Sequence, residues 1–183
     1  MPLFREYEYD KQPFVRSLIS VIACLIIGFT LIFASTGKLA GVGDIPGQTE
    51  YVDRFIPEFL ITPETAYFVG FIFIPWILPI AELIIGLLLV IGIWPRAAAI
   101  CFLPLVFGFM ANNSYMIANG IGQYPTCECF GIWEKFVGGL TPTQSLYFDV
   151  GLFILAVIII LVHPGPFFSH QFWINRIFNR DKI

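Results

Sequence analysis

With 57% hydrophobic and 17% aromatic residues but only 13% charged, this 183-residue chain has a mean hydropathy of +0.81. A soluble domain carries roughly 25% charged residues, so the composition excludes a water-covered globule and describes a single integral membrane domain. The net charge of −3, with its positive charges scattered rather than gathered into a patch, argues against nucleic acid as a partner.

Residues 1–16 read as a mixed-charge arm carrying Arg5, Glu6, Glu8, Asp10, Lys11 and Arg16, with Tyr7, Tyr9 and Phe14 suited to the membrane interface. The first apolar run, about 17–39, holds no charge between Arg16 and Lys38. About 20 such residues cross a ~30 Å hydrocarbon core. A basic flank ahead of an apolar run also matches a signal peptide, with Ala34-Ser35-Thr36 as its cleavage region, but the run is long for a signal and reads as a retained span. The loop over 40–65 is broken by glycine, proline and aspartate, and Tyr51 to Ile56 within it reads as a short interfacial helix.

The second span, about 66–94, follows Thr62 as a candidate N-cap. Pro75 and Pro79 lie inside it and are expected to kink it, since each removes a backbone donor. Glu82 sits deep among leucine, isoleucine and glycine. Trp94-Pro95-Arg96 is so short a turn that the second and third spans must be antiparallel neighbours. The third span, about 97–118, carries Cys101, Pro104 and, near its far end, Asn112, Asn113 and Ser114. The polar loop over 119–144 holds Cys127 and Cys129, with Trp133 to Phe136 as an interfacial turn. Thr141-Pro142 or Thr143 opens the fourth span, about 145–162, with Asp149 near its start and His163-Pro164-Gly165-Pro166 as its stop. The tail over 165–183 mixes Phe172 and Trp173 with Arg176, Arg180 and Lys182, a pattern for a helix lying flat on the membrane.

The fold class that follows is an all-α membrane protein: a four-transmembrane-helix bundle, one domain over residues 1–183, with interfacial amphipathic segments. Four spans put both termini on one side. The arm, the turn at Arg96 and the tail hold Arg5, Lys11, Arg16, Arg96, Arg176, Arg180 and Lys182, against Lys38, Arg54 and Lys135 in the other loops. Basic residues favour the cytoplasmic side. The N- and C-termini are thus expected in the cytoplasm of a prokaryotic cell, and the Cys127/Cys129 loop on the extracytoplasmic side, where disulfides persist.

The chemistry of the chain gathers at Cys127-Glu128-Cys129. Thiol exchange needs an accessible thiolate and a second thiol to resolve the mixed disulfide, and adjacency supplies the second. A one-residue spacer closes a very small ring, whereas relaxed disulfides keep Cα separations near ~5.5–6 Å, so a bond between the two would be reducible. Glu128 works the other way, because its negative charge disfavours the thiolate. The pair therefore reads either as redox-active or as a static clip of the loop. Metal ligation is disfavoured, since thiolate zinc sites need four ligands and no other Cys or His lies nearby.

Cys24 and Cys101 fall about 10 Å and 6 Å inside the cytoplasmic boundary at ~1.5 Å per residue, too far from the loop for a direct relay, and read as packing residues. Glu82 is a candidate binding residue because a carboxylate within a span normally faces the bundle interior or a partner. It is expected either to contact a proton or quinone, or to bond as a neutral carboxyl to backbone freed by Pro75 or Pro79. Lys38, placed at the outer boundary while Glu82 is counted past the midplane, is not expected to reach it. Asn112 and Asn113 are candidates for lining a polar pocket under the cysteine loop or for bonding across helices. His163 and His170, separated by two prolines, are not expected to form a metal pair.

Ser35-Thr36-Gly37-Lys38 closing the first span, Pro75-Trp76 followed by Glu82-Leu83-Ile84-Ile85-Gly86, the Cys127-x-Cys129-Phe130-Gly131 string, and the polar start of the fourth span from Thr141 to Asp149 together resemble the DoxX/MauE group of small four-span membrane proteins. The resemblance covers about residues 15–163. The cysteine string is closest to the MauE side, although MauE-type motifs usually carry glycine where this chain has Glu128. The resemblance implies a four-helix bundle linked to disulfide handling or quinone-coupled oxidation; DoxX-like subunits are associated with thiosulfate oxidation and MauE-like ones with maturing a disulfide-rich partner. The expected partners are the lipid bilayer and other membrane subunits or a periplasmic protein with thiols. A quinone is the one cofactor the resemblance suggests, and no motif requires it. The expected function is assistance to thiol-disulfide or quinone-linked redox chemistry through the Cys127/Cys129 loop. The alternative is a non-catalytic accessory subunit of a larger membrane complex with a structural disulfide.

Overall fold

The computed structural model describes residues 14–41, 67–120 and 130–163, together with Thr62 and Glu64. The arm before residue 14, nearly all of the loop over 40–65, the segment 121–129 with Cys127 and Cys129, and the tail from residue 164 lie outside the described residues, and with them the expected interfacial helices.

Among the described residues, four helices are long and apolar enough to cross a membrane: Leu18–Ala40, Phe71–Ile91, Pro95–Ala118 and Pro142–Val162. They make this an integral membrane protein. The first belongs to α1, Phe14–Ala40. The second begins as a π-helical stretch, Phe68–Ile77, and continues as α2, Leu78–Ile91. Pro75 lies in the wide-turned stretch and Pro79 in the first turn of α2. A proline has no N–H and its ring crowds the carbonyl four residues back, so the chain accommodates both prolines where the α-helical ladder is opened or has only just begun.

The turn after α2 is built from special backbone positions. Gly92 is left-handed (φ 81°), and the N–H groups of Gly92 and Ile93 both donate to the Leu88 carbonyl, at 2.9 and 3.0 Å. Such a closure suits glycine. Trp94 is left-handed as well (φ 49°), and Pro95 opens α3, Pro95–Ala118, with its φ already set for a helix. After α3, a 3₁₀ turn over Gly131–Trp133 leads into the short α4, Glu134–Val137. Helix α5, Pro142–Val162, starts with a capping box: Gln144 N–H donates to Thr141 Oγ1 and Thr141 N–H to Gln144 Oε1.

Helix α1 packs chiefly on α2 and α3 chiefly on α5, while α1–α5 and α2–α3 contacts close the ring of four. Helices α1 and α2 approach closely at Gly28 and Gly86. A Cβ at either glycine would stand 2.9 Å from the other's carbonyl oxygen. Small residues at such crossings are how membrane helices come close. The core is formed by Ala23, Ile27, Leu89, Ala98, Phe102 and Ile159, with Cys24 buried beside them. Cys101, expected as a packing residue, is exposed on the bundle's outer face instead. At this end His163 caps the bundle through a 2.7 Å hydrogen bond between its Nδ1 and Ser20 Oγ.

Candidate site at the loop end of the bundle

The other end of the same four helices is polar inside. Lys38, two residues before the end of α1, sends its ammonium inward, where Nζ donates to Glu82 Oε1 at 2.7 Å and to Oε2 at 3.0 Å. The lysine side chain is 11% exposed and the carboxylate side chain 1%. The ammonium also lies 5.0 Å from the centroid of the Phe109 ring, a cation–π contact. The ion pair corrects the expectation that Lys38 cannot reach Glu82, and it replaces the reading of Glu82 as a neutral carboxyl bonded to freed backbone.

The physical reason is the direction of side chains on antiparallel helices. Measured from the Gly28–Gly86 crossing at ~1.5 Å per residue, Lys38 stands about 15 Å along and Glu82 about 6 Å along the same direction. Side chains lean toward the N-terminus of their own helix. On α1 that lean carries Lys38 down toward the midplane, and on α2 it carries Glu82 up toward the loop end. A lysine stem and a glutamate stem then cover the remaining gap.

A second cluster sits across the bundle. Asn113, 1% exposed, donates through Nδ2 to Ser145 Oγ at 3.0 Å and to Asp149 Oδ2 at 2.8 Å. Both amide hydrogens are thereby used, and the carboxylate, which can only accept, fixes which way the amide faces. Among the described residues its Oδ1 is buried with no hydrogen-bond partner, and so is Asn112 Oδ1. The two clusters face one cavity of about 70 Å³, whose polar lining is Thr30, Lys38, Glu82, Asn112, Asn113, Ser145 and Asp149. At ~30 Å³ per molecule that is room for about two waters.

The last part of the cysteine loop is fastened over this cavity. Phe130 and Phe148 line it, edge to face at 6.2 Å between ring centroids. Gly131 is left-handed (φ 55°), and its backbone lies so close to Gly37 and Lys38 that a Cβ would strike both. On the α1 side Gly37 leaves space for the Phe130 carbonyl and the Trp133 ring. The Trp133 indole N–H donates to Thr36 Oγ1 at 3.2 Å, while its ring stacks on Phe33 at 5.8 Å. Glu134 Oε1 accepts from Phe130 N–H at 3.0 Å.

Of the residues picked from the sequence, Glu82, Asn112 and Asn113 line the same cavity. Cys127 and Cys129 lie outside the described residues, but Phe130, the next residue, belongs to the cavity wall. Sequence reasoning did not place Lys38, Ser145 and Asp149 in the site. Asp149 is a carboxylate within a span, as noticeable as Glu82, and Ser145 four residues before it shares its helix face.

The family described as methylamine utilisation protein MauE matches residues 16–162, a stretch that takes in all four spans and both polar clusters. No curated protein and no solved structure matches the chain.

Proposed function

The chain belongs to the MauE family, and from that premise we propose that it is a membrane-embedded thiol-disulfide exchange factor, acting on a partner protein through Cys127 and Cys129. The observation that supports this reading most is the fastening of Phe130–Trp133 onto Gly37, Lys38 and Thr36. It holds one end of the cysteine loop at a fixed place on the bundle, as a docking point for a partner's thiols requires. In one exchange a partner thiolate attacks a sulfur of the oxidised pair, forming a mixed disulfide and releasing the other cysteine as thiolate. A second partner thiolate then breaks the mixed disulfide, so the partner leaves oxidised by two electrons and the pair is left as a dithiol. The proposal includes the sidedness argued from the basic residues, with the loop outside a prokaryotic cytoplasmic membrane and the termini within. It also includes the wider kinship with DoxX-like subunits and the description of Cys-x-Cys-Phe-Gly as the family's redox string. Glu82, Asn112 and Asn113 are its binding residues, beneath the loop.

The test is a redox titration of the pair in detergent-extracted protein, read by mass shifts after alkylation at defined glutathione potentials. A midpoint between about −120 and −230 mV, the range of catalytic dithiols, is the expected result. A midpoint below about −300 mV, typical of structural disulfides, would make the pair a clip and the protein an accessory subunit of a larger membrane complex.

A further inference from the structure

The second span is divided in how it packs. Its α-helical part, α2, buries Glu82, Ile85, Gly86 and Leu89 in the bundle. The π-helical stretch before it, Phe68–Ile77, is one-sided: Ile74 is buried and Pro75 half-buried, while Phe71, Ile72, Phe73, Trp76 and Ile77 are exposed. Lipid covers apolar rings on such a face. Two polar groups at this face are different.

The first is a backbone carbonyl. Bonds in this stretch run five residues back, as from the Leu78 N–H to the Phe73 carbonyl. Proline has no N–H, so Pro75 leaves the carbonyl of Gly70 outside the ladder. Pro79 does the same to Ile74, but Pro79 is buried in the bundle and the carbonyl beneath it lies on the inner side. Pro75 stands at the edge of the exposed face. The second group is the indole N–H of Trp76, whose side chain is 48% exposed and makes no hydrogen bond among the described residues. Trp76 enters five residues inside the span Phe71–Ile91, about 7.5 Å along it at ~1.5 Å per residue. Within a bilayer, groups freed by proline are satisfied by neighbouring helices or side chains rather than by lipid, and a tryptophan N–H away from water takes an acceptor.

We propose that this face joins two copies of the chain about a two-fold axis along the membrane normal, with Trp76 of each copy donating to the Gly70 carbonyl of the other. The pairing is independent of the thiol reading, and either can fail alone.

The choice of a second copy rests on self-complementarity. The face carries one open donor and one open acceptor, and an isologous pair uses the same patch twice, so each copy supplies what the other lacks. A lipid tail supplies neither. The arrangement around the helix also fits. In a ladder with bonds five residues apart, one turn falls between four and five residues. Pro75 and Trp76 therefore lie one turn beyond Phe71 and on either side of it. With Phe71 on the axis, Trp76 of one copy faces the Pro75 edge of the other, where the Gly70 carbonyl ends. Depth agrees as well. Two copies of one membrane protein run their second spans parallel, and Trp76 leans toward the N-terminus of its helix, while the Gly70 carbonyl points along its own helix the other way. The two groups thus approach one level from opposite directions. Phe71 is 67% exposed and already held in place by stacking on Tyr67 at 5.0 Å.

The experiment is sedimentation equilibrium of the full chain in density-matched detergent micelles, over a range of protein-to-detergent ratios. A monomer–dimer equilibrium is expected. Trp76→Phe keeps a ring and removes the N–H, and the dimer dissociation constant should rise about fivefold. Pro75→Ala restores a backbone donor to the Gly70 carbonyl, so it should weaken the dimer by a similar factor while the helical signal resists denaturant at least as well as in the parent chain. Because both changes remove the same bond, the double variant should be no weaker than either single one. Phe107→Leu, at an exposed position of α3, should leave the dimer unchanged. A chain that stays monomeric at every ratio would overturn the proposal and leave the face to lipid or to a different protein. A dimer insensitive to Trp76→Phe, a dimer weakened as much by Phe107→Leu, or fully additive effects of Trp76→Phe and Pro75→Ala would each overturn it too.

Discussion

The two ends of the bundle are made by the same four helices and solve opposite problems. At the end capped by His163, the interior is chiefly alanine, isoleucine, leucine and phenylalanine, and a side-chain bond across helices joins Ser20 to His163. At the loop end, a lysine, two carboxylates, two asparagines and a serine share one cavity. The apolar end needs only shape, and the Gly28–Gly86 crossing supplies it. The loop end carries groups that are costly inside a membrane and that a bundle does not need in order to pack. Residues retained where they are unfavourable for folding are there for what they contact, which is why the cavity and the fastened loop form the functional end.

The comparison breaks most visibly at the ion pair. Glu82→Ala leaves the Lys38 ammonium buried without its carboxylate, and about 3–5 kcal/mol of stability should be lost. The paired change Lys38→Met with Glu82→Leu should be nearly neutral or stabilising, as replacing a whole buried pair often is. Denaturant titration of the helical signal in micelles measures both. If the double variant is as unstable as the single one, the pair is structural and the contrast between the two ends fails.

A smaller effect is expected at the fastening. Gly37→Ala puts a methyl group into the Phe130 carbonyl and the Trp133 ring, an overpacking of the kind that costs about 1–3 kcal/mol. The loop end must lift to make room, so maleimide should label Cys127 and Cys129 faster than in the parent chain. Ser20→Ala marks the lower limit. It removes one hydrogen bond at the apolar end, where bonds between membrane helices average about 0.6 kcal/mol, and it should leave the labelling rate at Cys127 and Cys129 unchanged.

Much of this was legible from residue order. Continuous apolar runs announced the four spans, and the Trp94-Pro95 turn and the Thr141-Pro142 start are local signals that the backbone follows. Glu82 stood out because a charge in an apolar run has no local explanation. Residue order does not show Lys38 as its partner, because distance along the helix axes keeps the two apart, whereas the contact depends on two side chains leaning toward each other on antiparallel helices. Asp149 was visible but unpartnered, since its bond to Asn113 spans 36 positions of sequence. Pairings at such separations are set by which helix faces meet, and no periodicity within one helix reports that.

The Lys38–Glu82 bond also bears on how the chain is made. Its partners are 44 residues apart, and at ~5–20 residues per second a ribosome needs roughly 2–9 seconds to pass from one to the other. Lys38 is synthesised first and stands near the end of its span, where a long ammonium side chain can extend to the headgroups while it waits. Glu82 follows in the middle of the next span, where no such escape exists, and enters the bilayer beside a cation already in place. The order of the two charges along the gene therefore suits the order of insertion: the residue able to wait is translated before the one that is not.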